Sequence, residues 1–363
     1  MRATPEGNLM NTMISIPAVV ADIASPFAQA IPLITPLLNP ATIILMAVVL
    51  ALLAIAFGFG QVLARQPDTS IHPAVVRRFN SRVRAWWMMC ATVSLAFLFG
   101  RNATLILFGV VSFWALREFI TLTPTRLGDH RALFWVFFAF TPLQYVLVWL
   151  GPENYGLYSI VIPVYGFLFV PARVAISGDY KRFLERTAKI QAGMLVCVYT
   201  LSFAPALLDL QLRTNKTADG SWQPWEDGST AGLLFYLILI AQSGDVLQFL
   251  WGQLLGRRVI APTINASRTW EGFFGGIAST TLIGTILWWV TPFTYWQSAC
   301  MSLVIAVMGF AGSMTMSAIK RDRGVRDYGT LVEGHAGVLD RIDSICFAAP
   351  VFFHLTRFFF ADV

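Results

Sequence analysis

Apolar stretches of about 20 residues recur along this 363-residue chain, and they restrict its fold more than any other feature. A helix needs roughly 20 apolar residues to cross the hydrocarbon core of a bilayer. Inside lipid the backbone has no water to bond, so only helices or closed barrels satisfy it. The stretches here are continuous and not alternating, which favours helices over a barrel. They predict an all-α fold, a polytopic integral membrane bundle of about ten transmembrane helices. Mean hydropathy is +0.64, with 56% hydrophobic and only 13% charged residues. A soluble multi-domain chain does not have that balance.

Ten spans are predicted, at about 41–64, 86–100, 103–122, 132–150, 157–176, 190–210, 230–254, 272–291, 297–318 and 344–360. The second and third are the weakest, because one is short and Arg101 separates them. Residues 1–40 carry Pro17, Pro26, Pro32 and Pro36 and read as an interfacial or partly ordered leader. Residues 41–210 then form an N-terminal bundle and 211–229 a polar external loop. Residues 230–363 form a C-terminal transmembrane domain of catalytic type.

The net charge of +6 follows membrane orientation and not nucleic acid. Loops 65–84, 123–131, 177–189, 255–270 and 319–343 hold 19 Lys and Arg residues, against five on the opposite side. Basic loops stay cytoplasmic, so both termini are expected outside. Cys90, Cys197, Cys300 and Cys346 are far apart within or at the ends of apolar runs. They read as small buried residues and not as a metal or disulfide framework.

Ionisable residues inside spans are costly and mark functional candidates. Asp245 lies within AQSGDVLQFLWGQ, ahead of Gly252, Gly256, Arg257 and Arg258. Arg117 and Glu118 read as a pair snorkelling to the interface. In the Ile264–Gly272 segment, Ser267, Arg268 and Thr269 precede a helix start, where free N–H groups favour phosphate. The densest cluster runs from Lys320 to Asp343, with ten acidic or basic residues and His335. A helix is expected after Gly337, placing Asp340 and Asp343 three apart on one face. Two carboxylates beside cations suit Mg²⁺ held together with substrate phosphates. Lys320, Arg321, Arg326 and Arg341 are the cations for those phosphates. His335 has two open roles, bonding a phosphate or locking the glycine turn.

These residues resemble the signatures of the phosphatidate cytidylyltransferases, or CDP-diacylglycerol synthases. Ser317, Lys320, Arg321, Asp327, Gly334, His335, Gly337, Asp340, Arg341 and Asp343 stand at that family's spacings. The stretch from Asp245 to Arg257 and the run Arg268-Thr269-Trp270-Glu271-Gly272 resemble two further motifs upstream. The resemblance covers about residues 230–360. There are departures: Arg326 for Lys, Ala336 for Gly, Glu333 for Pro, and Gly312-Ser313 where the family has Gly-Asp.

The resemblance implies an enzyme that condenses CTP with phosphatidate to CDP-diacylglycerol and pyrophosphate. It implies Asp340, Asp343, Lys320 and Arg341 as catalytic residues and Arg321, Arg326, His335, Arg268, Thr269 and Ser317 as substrate contacts. Asp340, Asp343 and Asp245 would hold Mg²⁺. Membrane lipids are expected partners, nucleic acid is not, and a homodimer is left open. The expected location is a bacterial inner membrane, with the site facing the cytoplasm. Two other readings stay open. One is a diverged paralogue that acts on another lipid phosphate or is impaired in catalysis, as Ser313 suggests. The other is a transporter of lipids or small molecules.

Overall fold

The computed structural model describes residues 37–64, 73–122, 125–214, 223–225, 228–325 and 337–361. Most of the expected leader lies outside the described residues, as do Arg326, His335 and the turn they flank. The chain is a helical membrane bundle. Its helices are α1 Pro40–Ala64, α2 Pro73–Leu98, α3 Arg101–Thr121, α4 Leu127–Trp149 and α5 Pro152–Ala175. They continue with α6 Phe183–Asp209, α7 Thr230–Leu255, α8 Trp270–Val290, α9 Tyr295–Asp322 and α10 Leu339–Phe360. Among the described residues, nine of these are long and apolar enough to cross a bilayer. The tenth, α2, has a shorter apolar part, Val83–Leu98, which is the short second span read from the sequence.

The third span, expected to be weak because of Arg101, is a regular helix of 21 residues. Arg101 does not interrupt it because the guanidinium lies at its first residue and pairs with Asp209 at the end of α6, 2.8 Å away. In two helices a π turn lies beside a proline, which cannot donate to the helix ladder. In α4 a wide π turn, Val136–Phe140, precedes Pro142, and Thr141 Oγ1 donates to the Val136 carbonyl at 2.8 Å. In α5 the π turn Val161–Gly166 contains Pro163.

The helices α7, α8, α9 and α10 pack on one another, and α10 also packs on α6 and α3. A single apolar core therefore runs from Leu116 and Phe203 to Leu237 and Phe352, all buried. At the end bearing the basic loops, Arg186 of α6 donates to the Asp129 carboxylate at 2.9 Å. Their side chains are only 4% and 2% exposed. The cysteine reading needs one correction. Cys90, Cys197 and Cys346 are buried, but Cys300 is exposed, because it lies on an outward face of α9.

The segment between α7 and α8 is more ordered than the loop read from the sequence. Strands β3 Val259–Ala261 and β4 Asn265–Thr269 form an antiparallel hairpin. A smaller antiparallel pair, β1 Arg213–Thr214 and β2 Gln223–Pro224, borders the external loop. Glu271, in the first turn of α8, accepts from the amides of Arg257 and Arg258 at 3.1 and 3.2 Å. That ties the hairpin back onto α8.

The approach of α8 to α7 requires glycine at position 276. A Cβ there would lie 2.3 Å from Gln248 Cγ and 2.6 Å from Gln248 Cα. Overpacking of that kind costs about 1–3 kcal/mol. Gly276→Ala is therefore expected to lower the thermal unfolding temperature of the detergent-purified protein. An unchanged melting curve would contradict the close approach.

Candidate active site

The site is assembled at the basic end of the bundle from α7, β4, α9 and the first turn of α10. Asp245 sits inside α7, with Gln242 and Gln248 three residues to either side and so near one face. The close α7–α8 packing brings β4 over this face. Arg268 of β4 then reaches three acceptors at once. Its guanidinium donates to Asp245 Oδ1 at 2.7 Å, Ser313 Oγ at 2.7 Å and Gln248 Oε1 at 2.9 Å. A planar, multi-donor head holds three acceptors in a fixed fork, which a flexible ammonium would do less rigidly.

Helix α9 supplies Ser313, Ser317, Lys320 and Arg321. Gly312 allows it to touch α10, since a Cβ there would meet the Asp343 carbonyl at 2.5 Å. Ser317 Oγ accepts from Asn265 Nδ2 at 3.2 Å, and Arg321 Nε donates to the Ile264 carbonyl at 3.0 Å. These contacts hold the hairpin against α9. Lys320 Nζ donates to Asp340 Oδ1 at 2.7 Å, with both side chains largely buried.

The last helix begins at Leu339, just after Gly337, and carries Asp340, Arg341 and Asp343 in its opening turns. Asp343 is buried, and among the described residues its carboxylate accepts from the Ser344 amide at 2.7 Å. Asp245, Lys320 and Asp340 lie near enough to act electrostatically on it. Gln242 Nε2 donates to the Arg341 carbonyl at 2.8 Å, which docks this turn onto α7.

The structure thus brings together Asp245, Arg268, Ser317, Lys320, Arg321, Asp340, Arg341 and Asp343. Thr269 is used differently, since its Oγ1 accepts from the Gly272 amide at 3.1 Å and caps α8. Ser267 is likewise engaged, donating to Asn265 Oδ1 at 2.7 Å. Among the described residues no group of three or more His, Cys, Asp or Glu closes on a common metal point. The donors present are still of the right kind. Mg²⁺ takes hard oxygen ligands, commonly one or two carboxylates completed by water and substrate phosphates.

Residues 80–359 match the cytidylyltransferase family. The chain belongs to that family. Over 281 residues it is 36% identical to the uncharacterized protein YnbB of Escherichia coli, covering 76% of this chain and 87% of that one. It is 34% identical over 151 residues to a phosphatidate cytidylyltransferase of Synechocystis, and 35% identical over 128 residues to that of Bacillus subtilis. Those two matches cover 40% and 35% of this chain. The chain spans about half the length of each of these two enzymes, 51% and 48%.

Three site residues escaped the sequence reading of this cytidylyltransferase-family chain. Gln242 and Gln248 were detectable, because they form a polar stripe with Asp245 at three-residue spacing in an apolar helix. Glu118 had a signal that was misread. It is not a snorkelling partner of Arg117: Arg117 is exposed and stacks on Trp114 at 5.1 Å, while Glu118 is buried. Its carboxylate accepts from the Val338 and Leu339 amides at the start of α10.

Removing Arg268 would leave Asp245 and two neutral acceptors without their shared donor. Hydrogen bonds to charged groups contribute about 1.5–3 kcal/mol. Arg268→Ala is therefore expected to unfold at lower temperature than Arg257→Ala, whose side chain is exposed. Equal melting temperatures for the two variants would contradict the Arg268 network.

Proposed function

We propose that the chain is a CTP-dependent nucleotidyltransferase that condenses CTP with phosphatidate, giving CDP-diacylglycerol and pyrophosphate. The observation that carries this reading is the meeting of Asp245, Asp340 and Asp343 with Lys320 and Arg268 in one partly buried cluster. Relatives named phosphatidate cytidylyltransferase support the same substrate pair. The basic loops at this end support a cytoplasmic face in a bacterial inner membrane.

In the proposed reaction a phosphate oxygen of phosphatidate attacks the α-phosphorus of CTP. A new P–O–P bond forms, and the bond to the β-phosphate breaks with departure of pyrophosphate. The second pKa of a phosphomonoester lies near ~6, so the nucleophile is already ionised and no strong general base is needed. Catalysis then depends on positioning and charge neutralisation. Lys320, Arg321, Arg341 and Arg268 would supply the positive charge that neutralises the triphosphate oxygens. Asp340, Asp343 and Asp245 are the carboxylates that would hold Mg²⁺, one or two to an ion with substrate phosphates completing its ligands, and the ion when bound supplies positive charge to phosphate oxygens. Arg326 and His335, outside the described residues, keep their proposed part in binding phosphate. Thr269 acts by fixing the β4–α8 junction that carries Arg268.

The lipid part of the substrate has an apolar cavity close by. It measures about 290 Å³ between α1, α2 and α7, lined in part by Leu53, Trp86, Met89 and Leu239. Its wall includes Gln242 and Ser243, just before Asp245. We assign it to an acyl chain.

Ser313 favours a second reading, a paralogue acting on another lipid phosphate. The Arg268–Ser313 hydrogen bond fills that position with a neutral acceptor, which changes the charge the site presents to its lipid. A panel of lipid phosphates assayed with CTP separates the two readings.

Asp340→Asn is expected to reduce Mg²⁺-dependent transfer from labelled CTP to phosphatidate by about 10²–10³-fold, a loss typical of removing transition-state charge stabilisation. Near-wild-type transfer in a folded variant would exclude the metal role. Leu239→Trp is expected to raise KM for phosphatidate and leave KM for CTP unchanged. Equal shifts in both would contradict the acyl-chain assignment.

A further inference from the structure

We propose that Glu118 is a positioning residue for transfer, holding the opening turn of α10, and with it Asp340 and Asp343, from the N-terminal half of the chain. The proposal rests on the functional reading above.

Helix α10 starts without a side-chain cap of its own. The first N–H groups of any helix lack intrahelical acceptors and need a partner. Here the partner comes from α3, more than 200 residues earlier. Glu118 Oε1 accepts from the Val338 amide at 3.0 Å and Oε2 from the Leu339 amide at 2.9 Å. Both carboxylate oxygens are thus spent on consecutive amides of the turn that carries Asp340. Trp114 Nε1 donates to Oε1 at 3.2 Å, which fixes the carboxylate on its own helix. Glu118 is only 8% exposed, so water does not replace these bonds. A carboxylate is also the favoured group at a helix N-terminus, where the dipole is positive.

The geometry makes Glu118 an anchor and not a catalytic group: it contacts α10 backbone and no reacting atom. Its effect is transmitted by rigid displacement. If the turn shifts, Asp340 leaves Lys320 and Asp343 leaves its place beside Asp245. Small misplacements of catalytic groups are costly in rate. This gives the N-terminal half a part in placing the catalytic turn, although the sequence signatures all lie after residue 230.

Glu118→Gln keeps the side-chain volume and sets an amide N–H against one backbone N–H. Trp114→Phe loosens the carboxylate without touching it. The full-length wild type and both variants are compared in one detergent by amide hydrogen exchange over residues 337–345, by transfer kinetics and by thermal unfolding. For Glu118→Gln, exchange at the start of α10 should rise, half-saturating Mg²⁺ should increase, and kcat should fall about tenfold or more. KM for CTP at saturating Mg²⁺ should move little. Trp114→Phe should shift the same quantities in the same direction by less. Unchanged exchange would overturn the anchor. Raised exchange with unaltered kcat and Mg²⁺ dependence would overturn the positioning role and leave a structural cap. A wild-type protein without transfer activity would instead overturn the functional reading, and with it the catalytic part of this proposal, while exchange still decides the anchor.

Discussion

Charge inside an apolar helix must be paired, and this constraint organises the structure. Moving an ion out of water costs several kcal/mol even after relaxation. Four carboxylates in the described helices meet that cost with a cationic partner. Asp245 has Arg268, Asp340 has Lys320, Asp129 has Arg186, and Asp209 has Arg101. Each pair joins two different segments of the chain. Pairing therefore does more than neutralise charge: it fixes which helices meet and at what height. Glu118 follows the same rule with backbone amides in place of a cation.

The pairing works only where backbones can approach. Gly276 and Gly312 remove the Cβ atoms that would hold α8 from α7 and α9 from α10. With those contacts made, Arg268 lands on three acceptors and Asp343 is buried beside Asp245 and Lys320. The cations and carboxylates are thus held close together in one cluster. A substrate bearing several phosphates would exchange these internal partners for its own oxygens.

Much of this was legible in the sequence, for physical reasons. Long apolar runs fix helices irrespective of neighbours, so the bundle and the short second span could be read directly. The helix opening at Leu339 followed from Gly337 just before it, and the spacing of Asp340 and Asp343 placed both in its first turns. Other features depended on partners that no local pattern reveals. The Arg268 fork requires knowing that β4 folds over α7. The hairpin itself was hidden in a short polar segment. Glu118 stood beside Arg117, and an acid next to a base reads locally as an ion pair. Only the fold shows that Arg117 is exposed while Glu118 is buried against the start of α10. Thr269 was read as a phosphate contact because helix starts bind anions, but its hydroxyl is committed to its own helix. Arg326 and His335 lie outside the described residues, so that part of the cluster rests on sequence.

The central claim is that the acidic and basic groups meeting between α7, β4, α9 and α10 form a nucleotide site. A cryo-EM structure of the full chain with Mg²⁺, phosphatidate and a CTP analogue with a non-transferable α-phosphate would test it most directly. The account predicts triphosphate density between Lys320, Arg268 and the Asp245–Asp343 pair, with the lipid phosphate beside it. Triphosphate bound elsewhere, with the Lys320–Asp340 and Arg268–Asp245 pairs undisturbed and the cluster closed, would contradict it.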